Sequence, residues 1–175
     1  MPSAARLASR MSTDEAWALV AEQRKLQVAT VGPDGLPHLV TMFHTVLDGL
    51  LVFWTYARSQ KIRNLDRDPR LTCLVEAGEE YEQLRGVQIS GRARIVRGRE
   101  DVAVVGRTVV CRMLGLAPAE ELDPAVTAEV ARQAHKRVAV EVVPERVVSW
   151  DHRKLTGRAT SWPMPATGGA DGTQS

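Results

Sequence analysis

The chain has 175 residues, 44% of them apolar, and a formal net charge of +2. That length suits one domain with a substantial core, and so mild a charge gives no electrostatic footprint for nucleic acid. Two cysteines far apart, Cys73 and Cys111, without a C-x-x-C pair, argue against a disulfide framework or a zinc site.

Residues 1–12 read as an N-terminal extension, basic but without the apolar stretch of a signal peptide. No apolar run reaches membrane-spanning length, so the chain is expected in the cytoplasm. Ser12 followed by Glu15 makes a capping box for a short helix reaching about Lys25. Residues 26–31 read as a strand, and Gly32-Pro33-Asp34-Gly35 as a turn. Residues 37–47 form a second strand, Asp48-Gly49 a hairpin dipeptide, and residues 50–55 a third strand, together an antiparallel meander.

Ser59 is placed to cap a helix over Gln60–Arg67, ended by Asp68-Pro69. Residues 71–76 are a fourth strand, in which Cys73 reads as a buried, inert thiol. After an acidic loop, Arg85–Val96 alternates apolar and polar residues as a longer strand, with Gly91 marking a bulge or bend. Helices follow at residues 101–116 and 124–135, then two β-branched runs at 137–143 and 146–150. Residues 157–175, rich in Gly, Thr, Ala, Ser and Pro, read as a disordered tail beyond a domain at 13–156. About six strands without β-α-β alternation predict a small barrel or sandwich with helices at its rim.

Most of the chemistry sits in "WTYARSQKIRNLDRDPRLTCLVE", residues 54–76. Arg58, Lys61, Arg63, Arg67 and Arg70 face only Asp66 and Asp68. A strand runs into a helix whose first N–H groups point toward an anion. Ser59 adds a hydroxyl and Lys61 a cation in the first turn, where positive charge opposes the helix dipole unless an anion is bound. The competing account is an amphipathic helix with Ile62 and Leu65 inward and its charges in water.

The segments "LQVATVGPDGLPHLVTMFH", "LLVFWTYARSQKIRNLDRDPRLTCLVE" and "GVQISGRARIV" resemble the pyridoxamine 5′-phosphate oxidase-like, flavin/deazaflavin oxidoreductase superfamily over roughly residues 13 to 152. "KIRNLDRDPRLTCLVE" looks more like its F420-dependent branch than its FMN oxidases. The resemblance implies a mainly β, α+β split barrel of six to seven antiparallel strands, of the FMN-binding type. It implies a homodimer with cofactor sites at the subunit interface. On the matching positions it implies that Lys61 and Ser59, helped by Arg58, hold the cofactor phosphate, while Asn64 ties the helix down. His38, Val40, Thr41 and Met42 would line the ring edge on the second strand. Tyr56 would cover ring or substrate, Gln88 would reach the cofactor, and Trp150 would wall the pocket. Each has a plain structural alternative: strand face for Thr41, surface for Gln88, barrel closure for Trp150. His44 can face the pocket, and His152 or Arg153 can meet an acidic group there.

The expected activity is hydride transfer between reduced F420 and an unsaturated small organic substrate, with no dedicated acid. Two other readings stand beside it: an FMN-dependent oxidase of a pyridoxamine-type amine, and a non-catalytic carrier of flavin, deazaflavin or haem. Neither a metal, nor a nucleic acid, nor a membrane is expected as a partner.

Overall fold

The structure, a computed structural model, describes residues 7–118 and 120–155. The predicted tail at 157–175 lies outside the described residues, as do residues 1–6 of the N-terminal extension.

Helix α1, Thr13–Glu22, starts where the capping box requires. The Glu15 N–H donates to Ser12 Oγ at 3.2 Å, and the Ser12 N–H to Glu15 Oε2 at 2.7 Å. The helix stops short of the predicted end at Lys25, because the chain enters strand β1, Lys25–Val31. The turn at Gly32–Gly35 leads into β2, Pro37–Phe43. Gly35 takes φ 84° there, a conformation that favours glycine.

The predicted second strand at 37–47 does not run through. It breaks at His44 into β2 and β3, Thr45–Leu47. His44 leaves the ladder because its N–H donates to the Arg24 carbonyl at 3.2 Å and its ring to the Val20 carbonyl at 2.9 Å. The predicted meander therefore fails: β2 pairs with β1, while β3 pairs with β4, Leu50–Tyr56.

Helix α2, Gln60–Arg67, follows β4. Then come β5, Arg70–Ala77, β6, Arg85–Val96, helices α3, Arg99–Leu114, and α4, Pro124–Ala134, and finally β7, Arg137–Asp151. The two predicted terminal runs are thus one strand. It bends at Pro144, opposite the register shift between Ser90 and Gly91.

All seven strands are antiparallel, in the order β2-β1-β5-β6-β7-β4-β3. Phe43 and Thr45, one residue apart, sit on opposite edges of this sheet, so the sheet must curl until its edges approach, and β2 indeed neighbours β4. The result is a seven-stranded half-barrel with four helices among the described residues, an α+β split-barrel fold.

Its interior is filled from every side. Leu26 and Val28 of β1, Phe53 of β4, Val75 of β5, Ile89 of β6 and Val140 of β7 meet Leu19 of α1 and Ile62 of α2. Cys73 is buried in this core, and burial pushes its thiol up to about 12, which makes it the inert thiol expected. A second cluster forms on the other face of β4 and β7, where Val52, Trp54 and Ala139 pack against α3 and α4 through Val102, Val109 and Val130.

Candidate functional site

Strand β4 ends at Tyr56, the chain turns, and α2 begins at Gln60 with Ser59 as its N-cap. The Ser59 N–H closes the turn on the Tyr56 carbonyl at 3.0 Å. Ile62 and Arg63 N–H groups both donate to the Ser59 carbonyl at 3.1 Å. The N–H groups of Gln60 and Lys61 precede any intrahelical acceptor and remain as donors at the helix start.

Ser59 departs from its expected role as a capping side chain. Its hydroxyl makes no capping bond, and Oγ is buried without a hydrogen-bond partner. A buried polar atom in that state calls for an explanation.

Lys61 is the second unusual group. It is only 8% exposed, and its Nζ donates to Thr55 Oγ1 at 3.0 Å. Burial, with a smaller push from the charge of Arg137, holds its pKa below the usual lysine value. Among the described residues neither Lys61 nor Arg58 has an ion-pair partner. The two aspartates of the segment are engaged elsewhere: Asp66 with Arg97 at 2.6 Å, and Asp68 with Arg70 at 2.7 Å. Arg67 donates to the Val31 carbonyl. A desolvated ammonium with only a hydroxyl partner is costly unless an anion joins it. Hydroxyl, ammonium and free N–H groups thus converge at one junction able to hold an anionic group such as a phosphate.

Asn64 is fully buried and anchors this junction. Its Nδ2 donates to Thr30 Oγ1 of β1 at 3.0 Å, while Gln60 Nε2 donates to its Oδ1 at 2.9 Å. It ties the helix to strand β1.

The remaining predicted site residues fall on two faces of the sheet. Val40 and Met42 of β2 pack against the interior core, and His38, opposite Thr30, shares their face. Thr41 points the other way, opposite Gln27 of β1, which in turn opposes Leu74 of β5 and, beyond it, Gln88 of β6. Trp150 of β7 lies over Gly86, on the same outer face as Gln88. Any side chain at Gly86 would collide with that indole. The structure thus gathers Tyr56, Arg58, Ser59, Lys61 and Asn64 at the β4–α2 junction, and Thr41, Gln88 and Trp150 on the outer face.

The chain engages His44, His152 and Arg153 within itself. His44 is fully buried against α1, and burial, with Arg112 nearby, lowers its pKa to about 4. His152 gives Nδ1 to the Tyr81 carbonyl at 2.8 Å, and Arg153 forms an ion pair with Asp151 of its own chain at 2.7 Å.

Sequence reasoning missed Thr55, Gln27 and Arg137. Thr55 is the hydroxyl beside Lys61, and strand alternation with Leu51 and Phe53 could have placed it inward. Gln27 carries a buried Oε1 without a partner beside Thr41. Arg137 begins β7 directly opposite Tyr56, and no local signal links residues so far apart.

A sequence model described as pyridoxamine 5′-phosphate oxidase matches residues 12–151. This chain belongs to the pyridoxamine 5′-phosphate oxidase family. Among solved structures, it is similar to a conserved hypothetical protein from Mycobacterium tuberculosis, with 39% identity, a TM-score of 0.78, and coverage of 96% of this chain and 99% of that one. An F420 reductase shares the fold at 20% identity and TM-score 0.54, covering 74% of this chain and 93% of the other. A haem storage protein from Vibrio cholerae does so at 17% identity and TM-score 0.59, covering 78% and 94%. No curated protein matches the chain. Within the family, the segment from Trp54 to Glu76 is placed here as β4, turn, α2 and β5.

Proposed function

We propose that the protein is an F420-dependent oxidoreductase that transfers hydride between the reduced deazaflavin and an unsaturated small organic substrate. One observation carries the reading: at the β4–α2 junction a buried hydroxyl without a partner, Ser59 Oγ, adjoins a buried lysine without a carboxylate. These residues fit a phosphate. Ser59, Lys61 and the free N–H groups of the first helical turn would hold it, with Arg58 as an exposed helper. The buried Gln27 Oε1, with Thr41, Gln88 and Trp150, offers polar and aromatic groups on the outer face for a flat ring. His38, Val40 and Met42 would support that strand from inside.

When bound, the deazaflavin supplies the hydride chemistry; the protein supplies position and electrostatics. Lys61 and Ser59 fix the anionic end, and Asn64 keeps the helix start in place through Thr30. His44 and His152 are both turned to backbone carbonyls, so neither is offered as a proton donor, and the proton is taken from water.

The family and the F420 reductase likeness support a flavin-type cofactor. The preference for F420 over FMN rests on the sequence of residues 61–76. We further propose a homodimer. The outer face carrying Leu39, Leu74, Val148 and Trp150 has no described helix packed on it, and Leu39 is 64% exposed.

The test is turnover. Purified protein with reduced F420 and a panel of enones and quinones should consume the cofactor, followed by its absorbance. Tight binding of F420, flavin or haem without turnover of any substrate would favour the carrier reading instead.

A further inference from the structure

Arg137, opposite Tyr56 at the start of β7, is unusually held. Its guanidinium carbon sits 4.4 Å from the ring centroid of Trp54 and 4.2 Å from that of Tyr56. Stacking on aromatic faces fixes the planar fork and leaves its N–H edge available. Among the described residues it forms no ion pair, and its one hydrogen bond is a long one, Nε to Gln133 Oε1 at 3.4 Å. The group is half-buried, with most of its five donors unused.

The same Trp54 and Gln133 border an open cavity of about 340 Å³ between β4, α3 and α4. Its walls are Trp54, Val110, Ala125, Val126 and Val130. That volume is at the lower end of the range for small-molecule sites. Glu129 also lines the hollow, and its carboxylate is already engaged by Arg132 at 2.5 Å and by Gln133 at 2.7 Å. Arg137, stacked on one lining residue and bonded to another, therefore stands as an uncompensated charge beside an apolar hollow. Strand alternation puts Arg137 and Trp54 on the α3–α4 face of β4 and β7, opposite the Thr55 face that receives Lys61.

We propose that this hollow is a binding site for a small hydrophobic monocarboxylate, its apolar body against Trp54 and the valines and its carboxylate on the Arg137 fork. An apolar body matches the indole, alanine and valine walls, and a single negative charge matches a single free guanidinium. A planar carboxylate suits the fork's two parallel donors. The site shares no ligand-holding residue with the Ser59–Lys61 junction, although the Arg137 charge also bears on Lys61.

The experiment compares 3-phenylpropanoate with its neutral analogue 3-phenylpropan-1-ol. Binding is measured by calorimetry, and the Trp54 indole N–H shift is followed by NMR, assigned with Trp54→Phe. In the wild type the acid should bind on the order of tenfold more tightly than the alcohol and move the Trp54 signal. Arg137→Gln should abolish that preference while leaving the alcohol unchanged. Val126→Phe, at a half-exposed wall position, should weaken both. Equal affinities in the wild type, no binding of either compound, or a preference that survives Arg137→Gln would overturn the site.

Discussion

At the scale of single residues, two buried bases set the same sign of pH dependence for stability. His44 is neutral in the fold because burial lowers its pKa from 6.5 to about 4. The unfolded chain binds a proton there first, so the native state loses stability as pH falls from about 6.5 toward 4, by an amount on the order of 3 kcal/mol. Urea unfolding across that range should show the loss, and His44→Gln should flatten it. Lys61 is also held below its usual pKa, so in the free protein its contribution to stability grows as pH rises through the window between its folded and unfolded values. A bound phosphate favours the charged amine and reverses this. Cofactor affinity should therefore fall as pH rises through the folded Lys61 pKa, a dependence absent from Lys61→Met; flat affinity in the wild type would contradict it.

At the scale of elements, close backbone approaches decide what the strands and helices tolerate. A Cβ on Gly91 would run into the Val143 carbonyl across the β6–β7 bulge, and a backbone atom cannot swing aside. A Cβ on Gly106 of α3 would meet the Trp54 ring at 2.5 Å. Alanine in a helix is ordinarily better than glycine by about 1 kcal/mol, yet here overpacking at roughly 1–3 kcal/mol outweighs it. Both Gly91→Ala and Gly106→Ala should lower the thermal midpoint, and a gain in Gly106→Ala would show that Trp54 can move. The bulge opposite Gly91 was legible because glycine in the middle of an alternating strand has few other uses. The break at His44 was not, since it depends on carbonyls of Val20 and Arg24 brought there by α1. For the same reason residues 137–150 read as two runs: Pro144 looks like a stop until a bulge beside it, with Glu145 as the extra residue opposite Ser90 and Gly91, lets the strand continue.

At the scale of the whole molecule, the strands and helices gave a small barrel or sandwich, the family resemblance implied the split barrel, and the sheet order was not legible. Only the curled sheet shows that Arg137 sits opposite Tyr56, or that Thr41 and Gln88 share a face while His38 and Met42 turn inward. The uncovered outer face predicts that sedimentation equilibrium will give the mass of two chains, and that Leu39→Glu will shift it toward one; a monomeric wild type would remove the interface from the account. The central claim is that the β4–α2 junction grips a cofactor phosphate. Its most direct measurement is titration of F420, followed by tryptophan fluorescence, into wild type and Lys61→Ala. Loss of one charged partner should cost about 2 kcal/mol, roughly a thirtyfold weakening. Unchanged affinity in Lys61→Ala would place the phosphate elsewhere and contradict the claim.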